Sequence, residues 1–208
     1  MMDSIEKYYQ SEKGLVYLLG NGPSLNSINW GALPPDRTIT MNRSWKCVPN
    51  ARYWLNTCNL GQTRKTPQHI VYLGPNEESV RQDLLDKTKC PVILFQTLGA
   101  KLRTKHLKLD LPADLDLRNG WPRNSSIGLA AIFWAWWVGF SPIICIGYDG
   151  YGKHFVEESL DRREDLFAVK HEKAIKEYVQ RLKTLPRHIE IYNCNEDNAY
   201  GMKFQELV

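Results

Sequence analysis

An α/β fold with a mostly parallel sheet is predicted by three features of this sequence. Short apolar runs alternate with helical patterns along the chain. The first of them, Leu15–Leu19, leads straight into a glycine-bearing turn, Gly20-Asn21-Gly22. The most apolar stretch, residues 127–148, is broken by Gly139 and by Ser141-Pro142 into a helix and then a strand. At 208 residues the chain fits one large domain, 1–208, with a real core.

The elements follow in order. Strands are expected at Leu15–Leu19, Thr38–Met41, Arg52–Leu55, Ile70–Leu73, Val92–Phe95, Ile143–Ile146 and Ile189–Tyr192, each a short apolar run. Helices are expected at Glu77–Lys87, Ser126–Val138 and Asp165–Thr184, with a short one near Phe204. Helices would then cover both faces of the sheet. Residues 96–121 carry Gly, Pro and many charges without periodicity, so they read as an insert or small cap over the sheet. Residues 150–168 read as a lid.

Composition narrows the class. Hydrophobic residues make up 43% and charged residues 24%, with 27 Lys+Arg against 23 Asp+Glu for a net charge of +4. That balance excludes a disordered tail and an all-basic nucleic-acid arm, while leaving an anionic ligand acceptable. Residues 1–14 are polar and charged, unlike a signal peptide. No uninterrupted apolar segment has the length of a transmembrane span. The five cysteines are scattered, odd in number and without a Cys-x-x-Cys pair, which points to a reduced, cytoplasmic protein. Cys90 and Cys145 sit in or beside apolar runs, as small core residues do. Seven Trp, with Trp134, Trp136 and Trp137 in the most apolar helix, suit a core more than a stacking platform and leave room for a homo-oligomer.

The chemistry concentrates after the first strand. Gly20-Asn21-Gly22-Pro23-Ser24-Leu25 would stand at the carboxyl edge of an open sheet, where α/β proteins bind ligands. Two glycines allow a tight turn and bring amide N–H groups near an anion, and Pro23 suits the first turn of a helix whose N-terminus favours phosphate. Asn21 offers a donor and an acceptor together. The alternative is a plain turn. The spacing is neither Gly-x-Gly-x-x-Gly nor a Walker loop, which argues against an ordinary dinucleotide or P-loop site.

Two further patches accompany the loop: a second strand ending Met41-Asn42-Arg43, and Gly128–Trp137 followed by a strand ending Gly147-Tyr148-Asp149. In this order the three resemble the superfamily that joins bacterial lipooligosaccharide sialyltransferases with 6-hydroxymethylpterin pyrophosphokinase-like proteins. The patches are spread between Leu15 and Cys194, and the glycine loop is the most specific of them. The resemblance to the sialyltransferase-like branch implies a single Rossmann-like domain with a lid, binding a nucleotide sugar across the strand ends.

That resemblance also implies roles. Gly20, Asn21, Gly22, Ser24 and Asn42 would seat the donor, with Ser125, Ser126 and Asp149 beside them. Asn42 has a second reading as a turn cap, and Asp149 as a residue that holds its loop through backbone amides. Tyr151 matches a tyrosine whose hydroxyl stabilises the departing phosphate. His171 matches the general base that deprotonates the acceptor, and it opens a helical face with Ile175, Tyr178, Val179 and Leu182. A packed or capping histidine is its other reading, and His154 in the lid is a rival base. The chain departs from the pattern twice: Ile127 stands where a serine is usual, and Glu157 where a second lid tyrosine is usual. Lys153 or Arg162 would then neutralise the leaving phosphate.

The reading implied is a metal-independent, inverting glycosyltransferase that moves a sugar from a nucleotide sugar to an acceptor hydroxyl, on a glycan or a modified DNA base. No cofactor or metal ion is expected. One alternative is a pyrophosphokinase-like transferase with Mg²⁺ held by Asp149 and Asp114 or Asp116. Another is a non-catalytic nucleotide- or nucleic-acid-binding module, which the two departures would suit. Asp114-Leu115-Asp116 has the form of a metal-binding pair, but two carboxylates underfill a hard-cation shell and a solvated turn is the plainer reading. The basic run 101–108 suits an acidic acceptor, or simply a solvated face.

Overall fold

The computed structural model describes residues 8–56, 70–73, 92–95, 127–150, 176–177, 179–184, 189–198 and 200–207. Within them the chain forms one eight-stranded sheet of β1 (Val16–Leu19), β2 (Thr38–Met41), β3 (Tyr53–Asn56), β4 (Ile70–Leu73), β5 (Val92–Phe95), β6 (Ile143–Ile146), β7 (Ile191–Asn193) and β8 (Lys203–Phe204). The strand order is β4-β5-β3-β2-β1-β6-β7-β8, and every neighbouring pair is parallel. From the central β1 the chain steps outward through β2 and β3, with β5 lying between β3 and β4, and later returns to place β6, β7 and β8 on the other side. The direction of winding therefore reverses between β1 and β6, and such a reversal opens a crevice at the carboxyl edge of a parallel sheet.

The central strands β1, β2 and β6 are buried on both faces, as parallel strands inside a sheet are, whereas the edge strand β8 is exposed. Val16 and Leu18 of β1 join Ile39, Met41, Tyr53, Leu55, Ile143 and Cys145 in one core cluster, whereas Leu19 and Ile146 join Leu25, Leu33, Val48 and Ala51 in another. The first cluster is covered by α1 (Ile127–Val138), which rests on β1, β2 and β3. This helix is apolar all round, and Leu129–Val138 are all buried, as befits a helix with no solvent face. Trp134, Trp136 and Trp137 are core residues, in line with their sequence reading. The residues of 176–183 that are described are helical, and Val179 and Leu182 point into the same cluster while Lys176 and Glu177 are exposed.

The opposite face departs from expectation at Pro23, where a helix was expected to start. The β1–β2 and β2–β3 connections contain short 3-10 turns at Pro23–Ser27, Trp30–Ala32, Pro35–Arg37 and Asn42–Lys46, not α-helices. Pro23, Pro34 and Pro35, with Gly22 and Gly31, break any longer helix between β1 and β2. Among the described residues, both α-helical segments thus serve one face. A second correction concerns the end of the chain, where the helix expected near Phe204 is the strand β8. Lys203 and Phe204 pair with Tyr192 and Asn193, and Gln205 N donates to Asn193 O at 2.9 Å. Pairing with β7 overrides the local preference of this short segment. The expected helix 77–87, the insert 96–121 and most of the lid lie outside the described residues.

The segment before β1 holds the far end of α1. Gln10 N donates to Trp137 O at 3.0 Å and Glu12 N to Val138 O at 2.8 Å, so two terminal carbonyls of the helix find partners. The Glu12 carboxylate accepts Arg52 Nε at 2.7 Å, Arg52 Nη2, and the buried Tyr53 hydroxyl at 2.8 Å. Removing that acceptor leaves a buried phenol without its charged partner, a loss of about 2 kcal/mol. Glu12→Ala is accordingly expected to lower the melting midpoint by roughly 4–8 °C in calorimetry. Glu12→Gln, which keeps an acceptor, should lose clearly less; equal losses would show that the hydrogen bonds are not what matters.

Candidate functional site at the β1–β6 switch point

The loops after β1 and β6 interlock where the winding reverses. Gly20 N donates to Ile146 O at 2.7 Å and Gly22 N to Gly147 O at 2.8 Å, which continues the contact between β1 and β6 beyond the strand ends. Neither glycine has space for a side chain. A Cβ on Gly20 would overlap the Gly147 carbonyl oxygen and lie 2.8 Å from its carbon; one on Gly22 would overlap the Asp149 carboxylate and lie 2.7 Å from Gly147 O. The Gly-x-Gly spacing is therefore a packing requirement of β1 against β6.

This alters the reading of the loop as an anion cradle. Ser24 N donates to Asp149 Oδ2 at 2.9 Å and Leu25 N to Gly22 O at 3.2 Å, while Pro23 has no N–H to give. The amides of Gly20, Gly22, Ser24 and Leu25 all have protein acceptors. The helix expected to start at Pro23 is a five-residue 3-10 turn, too short for the dipole invoked for phosphate. These four amides are therefore not available to an anion.

Asp149 is 1% exposed, and both its oxygens are engaged: Oδ1 accepts Asn195 Nδ2 at 2.7 Å. The carboxylate thus ties the β1 and β7 loops to the β6 loop. Asn193 Nδ2 donates to Tyr148 O at 2.7 Å, and Asn195 N to Asn193 Oδ1 at 2.9 Å, so the β7 end is tied to the β6 end. Tyr148 turns inward and its hydroxyl donates to Gly128 O at 3.0 Å, joining the β6 loop to the first turn of α1. Burial raises this phenol well above its ordinary pKa, so it stays a donor.

On the other side of β1, Ser44 links two strand ends. Its Oγ accepts Met41 N at 2.8 Å and has Leu19 O at 2.7 Å and Met41 O at 2.9 Å as acceptors for its hydroxyl proton. Asn42 begins the turn that leaves β2, one strand from the glycine loop, and the cap residue of that turn is Met41. The structure thus gathers Gly20, Asn21, Gly22, Ser24 and Asp149 at the switch point, with Asn42 at the adjacent strand end. Tyr151, Lys153, Arg162, His171, Ser125 and Ser126 lie outside the described residues, as do His154, Asp114, Asp116 and the basic run 101–108. The sequence reading missed Ser44, Asn193 and Asn195. The turn-forming run Asn193-Cys194-Asn195-Glu196-Asp197-Asn198 after the last long strand was the signal available for two of them.

Burial raises the thiols of Cys47 and Cys194 to about 12, and that of Cys145 well above its ordinary value. With folded pKa values above the unfolded ones, the unfolded chain loses these protons first as pH rises. The stability they contribute is complete below the ordinary value of 9.0 and is lost as pH climbs through about 12. Urea midpoints should accordingly be lower at about pH 11 than at about pH 8. Unchanged midpoints would contradict the burial of these groups.

Among the described residues no group of three His, Cys, Asp or Glu is arranged to hold a metal ion, and no helix is long and apolar enough to cross a membrane. The fold and the site together define a parallel α/β protein with a candidate ligand crevice at the β1–β6 switch point. Compared with known proteins, the chain matches no family model, no curated protein and no solved structure.

Proposed function

We propose that this protein is a Rossmann-like, metal-independent inverting glycosyltransferase of the sialyltransferase-like type, working in the cytoplasm on a nucleotide-sugar donor. One observation carries the reading: the glycine loop and the Gly147-Tyr148-Asp149 loop, which share the superfamily's order in the sequence, meet at the switch point of a parallel sheet with Asn42 one strand away. Ligands of open α/β sheets bind there. Because the amides of Gly20, Gly22, Ser24 and Leu25 turn inward, the donor is seated by the side chains of Asn21, Ser24 and Asn42, together with those of Ser125 and Ser126.

In the reaction the acceptor oxygen attacks the anomeric carbon while the bond from that carbon to the nucleotide phosphate breaks. His171 takes the acceptor's proton, and the departing phosphate keeps the bonding electron pair. Tyr151 donates a hydrogen bond to the charge that develops there, and Lys153 or Arg162 neutralises it. The acceptor is a hydroxyl on a glycan or on a modified DNA base.

The test is transfer by purified protein with His171→Ala and Tyr151→Phe. Loss of a positioned base costs about 10²- to 10⁴-fold. His171→Ala should lower transfer by that factor while nucleotide binding persists. Full transfer by His171→Ala would contradict the mechanism. Activity confined to purine triphosphates and abolished by EDTA would replace the proposal with the pyrophosphokinase reading.

A further inference from the structure

Asp149 joins three loops that leave three neighbouring strands. Its Oδ2 accepts the Ser24 amide of the β1 loop at 2.9 Å, and its Oδ1 accepts the Asn195 side-chain amide of the β7 loop at 2.7 Å. Asn195 is itself held in one orientation. Its Oδ1 accepts Asp197 N at 3.1 Å, so chemistry requires the NH₂ to face the carboxylate, and its backbone N–H donates to Asn193 Oδ1 at 2.9 Å. The carboxylate is buried, with both oxygens engaged by the protein.

We propose that Asn195 is a positioning residue for the switch-point site: it acts through Asp149 to fix Ser24 and the glycine loop, and Asp149 is a clamp, not a substrate contact. The link to ligand binding rests on the transferase reading. The clamp itself does not.

A charge exchange tests the clamp. Asn195→Asp sets two carboxylates against each other, and Asp149→Asn sets two amides against each other, so each single change breaks one bond of the set. The double variant D149N/N195D restores them all. The new amide at 149 accepts from Ser24 and donates to the new carboxylate at 195, which still accepts from Asp197. Hydrogen exchange at the Ser24 amide should rise about tenfold or more in each single variant. It should return to within about threefold of wild type in the double one.

The ligand arm uses CMP, UDP, ADP and GDP as probes. Any midpoint shift that one of them gives the wild type should be lost in the single variants and recovered in the double. Recovery of Ser24 protection without recovery of that shift would overturn the proposal, because Asp149 would then touch the ligand directly. Unchanged Ser24 exchange in both single variants would also overturn it. If the single variants do not fold, a folded double variant supports the clamp and an unfolded one overturns it. If no nucleotide shifts the wild type, the transferase reading fails while the exchange results still decide the clamp.

Discussion

Gly20→Ala is expected to destabilise the protein by about 3 kcal/mol, the upper end for overpacking, and to lower its melting midpoint by roughly 6–12 °C. The cost is steric. Gly20 does not have a left-handed φ, but an added methyl would run into the Gly147 carbonyl, with Tyr148 Cδ2 3.1 Å away on the same side. Both nearest obstacles are backbone atoms of the β6 loop, and neither can move without loosening the contact between the β1 and β6 ends. Gly31→Ala is the control, because its nearest neighbour is a side-chain oxygen at 3.4 Å in an exposed turn. That change should stay within about 0.5 kcal/mol of wild type. Equal, small effects of the two substitutions would show that the loops are not interlocked.

Trp134→Ala is expected to cost about 3–5 kcal/mol, a large share of the stability of an ordinary domain. Trp134 is wholly buried in α1, its ring centroid 5.5 Å from that of Tyr53 and 5.6 Å from that of Tyr8. It therefore links the helix both to the sheet and to the segment ahead of β1. Among the described residues its buried indole N–H has no hydrogen-bond partner, which sets up a sharper comparison. Trp134→Phe loses ring volume but also removes an unsatisfied donor, so it should cost less than about 1.5 kcal/mol. Chemical denaturation of the two variants reads the difference. A loss with Phe as large as with Ala would mean that the indole makes a bond of its own.

Much of the architecture could be read from residue patterns. Unbroken apolar runs such as Ile143–Ile146 are what a strand covered on both faces requires, and they located the central strands closely. The helix at 127–138 was equally legible, since a long apolar segment closed by Gly139 and Ser141-Pro142 has few other outcomes. Legibility failed where pairing partners decide. Lys203 and Phe204 become a strand only because β7 offers a free edge, and nothing local to them announces it. The glycine loop shows a subtler limit. Its position at the switch point was readable, but the destination of its amides depends on a β6 loop more than a hundred residues away. Asp149 likewise carried two readings until its partners, Ser24 and Asn195, were in place.

The central claim, a nucleotide-sugar site at the β1–β6 switch point, is tested most directly by ligand-induced stabilisation. The wild-type protein would be scanned with CMP, UDP, ADP, GDP and their sugar conjugates, each with and without EDTA, and hydrogen exchange followed in the best case. A ligand that binds only the folded state at about a hundred times its dissociation constant adds about 2.7 kcal/mol, a readable shift. The account predicts a shift with one pyrimidine nucleotide and its sugar conjugate, unaffected by EDTA, with protection gained in residues 20–24 and at Asn42. A shift limited to purine triphosphates and lost in EDTA, or no shift from any of them, would contradict it.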